Sequence, residues 1–327
     1  MKKFVAGALA ALLFTTAAQA QERLVFASPA PAPTPVHAAV LEGWAQRVTE
    51  ASNGTIEIQL VTGGTLAAHG QVLERVQSGV VQIGWDIQGY YPGLFPRTEV
   101  VALPFGFETA EAGTMALNAL FADGTIASEY DGMHILNLFT FPNGHVLGST
   151  EMASLADMRG RRMTSLNPTR QDIASAVGGV PVSLSITDWY QGLNRRTVDA
   201  AIESYSAVPP FRLAEVTSHF IELPLGGNAS FMFMNKDVYD GLPDEARAAI
   251  DAHSGPEFDR LMGSFWDGAA AAGRQMIEAA GGTITIPDDS ERAAWEAAVQ
   301  PVIEAWVQAT PDGAAIREAF REAATAN

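Results

Sequence analysis

Trp85 and Asp86 are adjacent residues with side chains suited to binding a cationic ligand. They stand at the end of a short predicted strand, Val80 to Trp85, in a β-α-β order. The carboxyl ends of parallel strands are where the clefts of α/β sheets open. A carboxylate beside an indole suits a buried ammonium, and the cation-π contact is worth about 0.5 to 2 kcal/mol. The alternative for Asp86 is structural, as a cap or an acceptor for loop amides. Trp85 has core packing as its alternative.

The sequence contains no motif that is typical of a catalytic site. G-x-S-x-G, H-E-x-x-H, G-x-G-x-x-G and the P-loop lysine motif are absent. The six histidines have no spacing suited to a metal site on a helix, and there is no cysteine to act as a thiol nucleophile. We therefore predict a protein that is not an enzyme and has no cofactor. A catalytic triad built from distant residues is the alternative.

The first 20 residues are typical of a signal peptide. Lys2 and Lys3 are followed by an apolar run from Phe4 to Phe14 and by Ala18-Gln19-Ala20, a small-x-small cleavage site. We predict export to the periplasm with cleavage before Gln21. No disulfide can form in that oxidising compartment without cysteine, so a large hydrophobic core has to stabilise the fold.

The composition is acidic. The formal net charge of −17 becomes −19 when Lys2 and Lys3 are removed with the leader. Such a surface disfavours nucleic acid and anionic membranes as partners. It is compatible with simple solubility in the periplasm and also with attraction of cations.

Predicted strands alternate with predicted helices from the mature N-terminus onward. A strand at 23–28 precedes a helix at 35–51, a strand at 55–61 and a second helix that ends at Gly79. The pattern restarts at 135–141 and at 161–165. This order predicts parallel, helix-covered sheets, and the restart predicts two of them.

A window in the middle of the chain carries the most specific signal. It reads Asp157-Met158-Arg159-Gly160-Arg161-Arg162-Met163-Thr164, and it is followed by a Pro181 segment, by Asp188-Trp189-Tyr190-Gln191-Gly192-Leu193 and by Thr197-Val198-Asp199. Leu103-Pro104-Phe105-Gly106-Phe107 and Phe231-Met232-Phe233-Met234-Asn235-Lys236 add to it. Together they resemble the solute receptors of tripartite ATP-independent periplasmic (TRAP) transporters, the DctP type, over nearly all of the mature chain.

The resemblance implies an α/β fold of the two-lobed periplasmic binding protein kind, with two helix-covered sheets, hinge strands that cross between the lobes and a long helix that spans both. Lobe 1 is expected at 21–144 plus 230–268, and lobe 2 at 145–229 plus 269–327. Gly263 and Gly268 are the expected kink or hinge points of the long helix.

The resemblance breaks at Thr164, where the family usually has the arginine that clamps a substrate carboxylate. Strand alternation leaves Arg162 as the nearest substitute, because it points to the same face as Thr164. Arg170, at a helix start, is a second and more remote candidate.

Further site residues come from the same resemblance. A gapless alignment places Glu203 where the family has a substrate-facing asparagine, and a structural ion pair is its alternative. Trp189 is a candidate ring for the cleft, with core packing as its alternative. Thr164, Asn167 and Ser204 are expected to match a hydroxyl group of the ligand.

These residues predict a periplasmic receptor that captures a small amine or other cation such as ethanolamine. The alternative is a small organic acid held by an arginine outside the usual position. The family implies delivery to a sodium-driven permease of one small and one large membrane subunit, which are separate polypeptides. The receptor itself is expected to be a monomer.

Overall fold

A computed structural model describes residues 21–31 and 34–326 of the chain. The predicted signal peptide, residues 1–20, lies outside the described residues. Within them the structure has two mixed sheets covered by helices, so the predicted fold class is confirmed.

The first sheet has five strands in the order β2-β1-β3-β10-β4. Strand β1 pairs in parallel with β2 and β3, while β10 pairs antiparallel with β3 and β4. Alternation along β10 sends Phe231 and Phe233 into one core layer and Met232 and Met234 into the other. The strands are β1 Glu22–Ala27, β2 Ile56–Val61, β3 Ile83–Ile87, β4 Met133–Thr140 and β10 Ala229–Asn235.

The second sheet has six strands in the order β11-β9-β5-β8-β6-β7. Strand β5 pairs antiparallel with β8 and β9, and β6 pairs in parallel with β7 and β8. The strands are β5 His145–Gly148, β6 Arg162–Thr164, β7 Val180–Pro181, β8 Ala200–Glu203, β9 His219–Ile221 and β11 Thr283–Thr285.

Ten α-helices occur in the described part of the chain. They are α1 Glu42–Ala51, α2 Val72–Gln77, α3 Ala110–Ala122, α4 Pro168–Ala176, α5 Trp189–Asn194, α6 Lys236–Gly241, α7 Asp244–Ala252, α8 Pro256–Ala279, α9 Asp289–Ala309 and α10 Gly313–Ala326. Lobe 1 is the part of the protein built on the five-stranded sheet, and lobe 2 is the part built on the six-stranded sheet.

Two extended segments of the described chain cross between the lobes, in addition to helices α8 and α9: 141–144 from β4 to β5 and 222–228 from β9 to β10. They run side by side: Phe141 N donates to Asn228 O at 2.9 Å, and Gly144 N donates to Gly226 O at 2.7 Å. Gly226 has φ +81°, and a Cβ there would overlap the Ala102 carbonyl. Only glycine fits this approach without strain.

Helix α8 is continuous over 24 residues, about 36 Å at 1.5 Å per residue. A Cβ at Gly263 would overlap the Glu111 backbone of lobe 1, and one at Gly273 would overlap the Tyr205 carbonyl of lobe 2. The helix therefore spans both lobes, as expected. Gly263 permits this close packing, whereas a Cβ added at Gly268 would meet no atom within 4 Å. Their role as kink or hinge points stays a prediction.

The C-terminal helices correct the predicted second lobe. Helix α9 begins in the lobe 2 core with Trp295 and ends in lobe 1, where Trp306 Nε1 donates to Pro96 O at 3.0 Å. Phe320 of α10 packs edge to face on Phe107, and Ile316 joins the same core layer. Residues from about 306 onward thus belong to lobe 1, because their apolar face is buried there.

Candidate functional site

A buried ion pair lies where the two lobes join. Arg170 Nη1 and Glu203 Oε1 are 3.0 Å apart, and their side chains are 0% and 4% exposed. Arg170 is the third residue of α4, which starts here because the Asn167 side chain accepts a hydrogen bond from Arg170 N at 2.8 Å and Pro168 occupies the first helical position. Glu203 is the last residue of β8.

The crossing segments hold this pair in place. Arg170 Nη2 donates to Gly226 O at 2.5 Å, and a side chain at Gly144 would collide with the guanidinium. The amide of Asn228 is 3.4 Å from both carboxylate oxygens of Glu203. The pair thus contacts both extended segments that connect the lobes.

Several groups at this junction are buried without a hydrogen-bond partner among the described residues: Arg170 Nε, Thr164 Oγ1, Gln88 Oε1 and Asn143 Oδ1. Leaving a buried donor unpaired costs about 1–3 kcal/mol, so such groups need an explanation. A bound ligand with acceptor atoms would supply one.

His145 adds a neutral ring beside the pair. Its ring centroid is 4.4 Å from that of Tyr205, with the two planes tilted by 32°, and its Nδ1 is 2.8 Å from Leu223 O. Burial lowers the pKa of His145 to about 4, with nearby Arg170 acting in the same direction. The imidazole is therefore neutral at pH 7, and Nδ1 carries the proton that Leu223 O accepts.

Asp86 does not face the lobe junction as a free carboxylate. It is 0% exposed, its Oδ2 accepts from Gly70 N at 2.8 Å and Tyr91 Oη at 2.6 Å, and its Oδ1 lies 2.5 Å from His69 Nδ1. This is the structural alternative considered for Asp86. The prediction of Asp86 as one of two carboxylates around an ammonium is not supported, because its acceptor atoms are already used.

The two tryptophans point into cores. Trp189 is fully buried in the lobe 2 core, and its Nε1 donates to Leu184 O at 3.1 Å. Trp85 packs in lobe 1, where its Nε1 donates to Ser28 Oγ at 2.7 Å and Ser28 Oγ contacts His37 at 2.7 Å.

Asn167 and Ser204 are at the junction but serve its framework. Asn167 caps α4, and its Nδ2 donates to Asn228 Oδ1 at 2.5 Å. Ser204 Oγ accepts from Ser206 N at 3.1 Å. The structure therefore brings together Thr164, Asn167, Glu203 and Ser204 of the predicted set, and adds Arg170.

Arg162, the nearest predicted substitute for the missing arginine, is an exposed residue. It forms a two-point ion pair with Asp199, with Nη2–Oδ1 at 2.9 Å and Nε–Oδ2 at 3.1 Å. Arg170 is the arginine that reaches the junction. The available signal for it was Asn167-Pro168, a helix-start pair that fixes Arg170 in the first turn directly after β6.

A continuous series of aromatic ring contacts in lobe 1 runs from Tyr90 to Phe141 beside the junction. The ring contacts run in the order Tyr90, His69, Trp85, Phe139, Trp266 and Phe141, with centroids 4.3 to 6.3 Å apart. Phe141 stands in the first crossing segment. At the other end, burial, then the charges of Asp86 and Glu203, raise the pKa of Tyr90 to about 12.

The lobes touch each other at this junction. A Cβ at Gly89 of lobe 1 would come within 3.1 Å of Leu166 O of lobe 2. The cavity left nearby, lined by Gln88, Gly89, Asn167 and Asn228 among others, has a volume of about 20 Å³. That is room for one water molecule and not for an organic ligand.

Residues 21–31 and 34–326 contain neither a candidate metal site nor a helix that could span a membrane. No group of three or more histidine and acidic side chains there is placed to hold a metal ion. No helix in the same residues is both long and apolar enough to cross a bilayer.

Two α/β lobes, two crossing segments and a buried polar junction between them define the class of two-lobed solute receptors. Comparison with known proteins gives the family: residues 26–309 match the model of the bacterial extracellular solute-binding protein family 7, DctP. The chain belongs to this family of TRAP receptors, which are periplasmic and not enzymes.

Three similar proteins illustrate the range of the family. A TRAP solute-binding protein from a marine metagenome, specific for aromatic acids and solved with metahydroxyphenylacetate, is 27% identical with a TM-score of 0.88, covering 94% of this chain and 99% of that one. A TRAP protein of Rhodoferax ferrireducens with copurified benzoate is 26% identical with a TM-score of 0.86, covering 93% and 98%. The ectoine/5-hydroxyectoine-binding periplasmic protein of Ruegeria pomeroyi is 26% identical over 84% of each chain.

Proposed function

We propose that this receptor captures a small organic acid between its lobes and that Arg170 receives the carboxylate. The observation that carries the proposal is the Arg170 guanidinium, which is fully buried at the crossing segments and leaves its Nε–H without an acceptor among the described residues. Arginine presents its N–H groups in a planar fork that matches a carboxylate. Of the arginines that the structure describes, Arg170 alone is buried.

The neighbouring groups support a ligand with further polar atoms and a flat apolar body. Thr164 Oγ1 has no partner among the described residues and would donate to a ligand oxygen. The aromatic series from Tyr90 to Phe141 offers apolar faces beside the junction once the lobes part. The two solved proteins at 27% and 26% identity hold aromatic acids, which favours the same class of ligand here.

The expected amine ligand receives no support. Glu203, which was to neutralise the ammonium, is already paired with Arg170. Asp86, the second carboxylate, accepts hydrogen bonds from a tyrosine and a backbone amide. A bare cation would therefore meet a junction whose charges are balanced, and it would bring Arg170 a like charge.

A zwitterionic acid is the second candidate, and one observation favours it. Glu203 Oε1 accepts from both Arg170 and Ser204 N, whereas Oε2 has only the 3.4 Å contact with Asn228 among the described residues. Oε2 could accept from an ammonium group while Arg170 Nε donates to the carboxylate of the same ligand. The Arg170–Glu203 pair is complementary to such a molecule.

The remaining proposals concern partners. We propose that the loaded receptor is a monomer that closes about segments 141–144 and 222–228 and delivers its ligand to a sodium-driven permease of a small and a large membrane subunit. Scattering measurements with saturating ligand should give a smaller radius of gyration than without ligand. An unchanged radius would contradict closure.

The ligand class can be tested by thermal unfolding with three matched compounds: benzoate, benzylammonium and benzyl alcohol. A ligand at 100 times its dissociation constant stabilises the fold by about 2.7 kcal/mol. We expect stabilisation by benzoate or by another acid in a panel of monocarboxylates and amino acids, and its loss in Arg170→Met. Arg162→Met is the matched control, because Arg162 is exposed. Stabilisation by benzylammonium alone, with no response to any acid, would contradict the proposal.

A further inference from the structure

A second cavity lies in lobe 1, between α3, β4 and the start of α8. Its volume is about 400 Å³. That volume is within the range of small-molecule sites, about 300–1,000 Å³. Apolar side chains form much of its wall: Met115, Ala119, Phe121, Leu136 and Pro256.

Four polar side chains line this cavity: Asn118, Asn137, Ser254 and Asp259. Asp259 is 6% exposed and forms no ion pair with any described residue. Asn137 is 1% exposed; its Nδ2 donates to Asp259 Oδ1 at 2.5 Å, while its Oδ1 accepts no hydrogen bond from the described residues. Ser254 accepts from Trp44 Nε1 at 3.3 Å. Asn118, the fourth polar side chain, donates its Nδ2 to Thr114 O at 2.9 Å and to Leu138 O at 2.6 Å.

We propose that this cavity is a binding site for a small organic ammonium ion, with Asp259 as the counterion and Asn137 Oδ1 as a second acceptor. A buried carboxylate without a cation and a buried carbonyl without a donor are both unsatisfied by the described part of the protein. A primary ammonium has three N–H donors and a positive charge, so it answers both. The apolar wall then covers the carbon skeleton of the ligand.

The electrostatics of Asp259 provide a way to switch the site. Burial raises the pKa of Asp259 to about 7, against the hydrogen bond from Asn137 and the charge of Arg260, which both lower it. Arg260 is exposed. Asp259 is therefore largely ionised at about pH 8, whereas at about pH 5.5 only about 3% of it is ionised.

The test uses benzylammonium as probe, benzyl alcohol as its neutral match and the methyl NMR signal of Met115 as a reporter inside the cavity. We expect benzylammonium to shift the Met115 signal at about pH 8, at least about tenfold more weakly in Asp259→Asn and about thirtyfold more weakly at about pH 5.5 in the wild type. Asp289→Asn, the same change at an exposed residue, should behave as wild type. The pH comparison keeps the test valid if Asp259→Asn does not fold.

Three outcomes would overturn the proposal. One is equal binding of benzyl alcohol, which would show an apolar cavity without recognition of charge. Another is equal binding in Asp259→Asn or at both pH values. The third is loss of benzylammonium binding in Glu203→Gln but not in Asp259→Asn, which would place the amine at the lobe junction. The proposal does not depend on the acid bound at Arg170. Arg170→Met should therefore leave the Met115 response unchanged.

Discussion

Replacing Glu203 by glutamine should destabilise the empty receptor and strengthen its binding of an acid. Glu203 is 3.0 Å from Arg170, and both side chains are buried. Removing one partner of a buried pair costs about 3–5 kcal/mol, and the lower end applies here because the glutamine oxygen can still accept from Arg170. Urea unfolding without ligand should therefore show a loss of about 3 kcal/mol.

The effect on ligand affinity has the opposite sign. A ligand carboxylate bound to the other side of the guanidinium would lie about 5–6 Å from the Glu203 carboxylate, and at an effective dielectric constant of about 20 their repulsion is about 3 kcal/mol. Its removal should tighten binding of a simple acid by up to about a hundredfold in calorimetry. A zwitterion should bind more weakly instead, because it loses the acceptor for its ammonium group.

Asp199→Asn is the control for this experiment. Asp199 forms an ion pair with Arg162 in the same lobe, but the arginine side chain is 45% exposed, so its loss should cost less than about 1 kcal/mol and leave affinity unchanged. If Glu203→Gln changes the free energy of unfolding by no more than this control, the buried pair is no more strongly coupled than an exposed one. Weaker binding of every acid tested, zwitterions and simple acids alike, would refute the assignment of Arg170 as the carboxylate group's partner.

Three further predictions concern other positions. Thr164→Val should leave the empty protein as stable or slightly more stable, because it removes a buried hydroxyl without a partner among the described residues. The same change should weaken acid binding about tenfold in calorimetry. Unchanged affinity would exclude Thr164 as a ligand contact. Because the pKa of Asp259 is raised to about 7, its contribution to stability is full below about pH 4 and is lost as pH rises through 7. Asp259→Asn should flatten this pH dependence of the free energy of unfolding in urea titrations and raise that free energy by up to about 4 kcal/mol at about pH 8. An unchanged pH dependence would contradict the burial argument. Gly273→Ala should lower the melting temperature, because its methyl group would overlap the Tyr205 carbonyl. Gly268→Ala, in open space on the same helix, should raise the free energy of unfolding by about 0.5–1 kcal/mol. Similar effects at both glycines would show that α8 does not pack closely on lobe 2.

The polypeptide sequence alone was enough to predict the fold class and the receptor family. Local periodicity specifies helices and strands, and Asp157 to Thr164 with the segments around Leu193 and Asp199 carried the family resemblance. These features depend on short stretches of neighbouring residues, so they are readable one stretch at a time.

Only the tertiary structure decided how the charges combine. Arg170 and Glu203 are 33 residues apart, and nothing local in either stretch says that one neutralises the other. Asp86 similarly meets His69 through the packing of a loop on β3. The side of the molecule on which α10 packs was also undecided, since an amphipathic helix such as that around Phe320 needs an apolar surface but does not specify which one. Sequence therefore determined the elements and the family, whereas pairing across distant segments determined which charges remain free for a ligand, because burial and ion pairing depend on three-dimensional proximity.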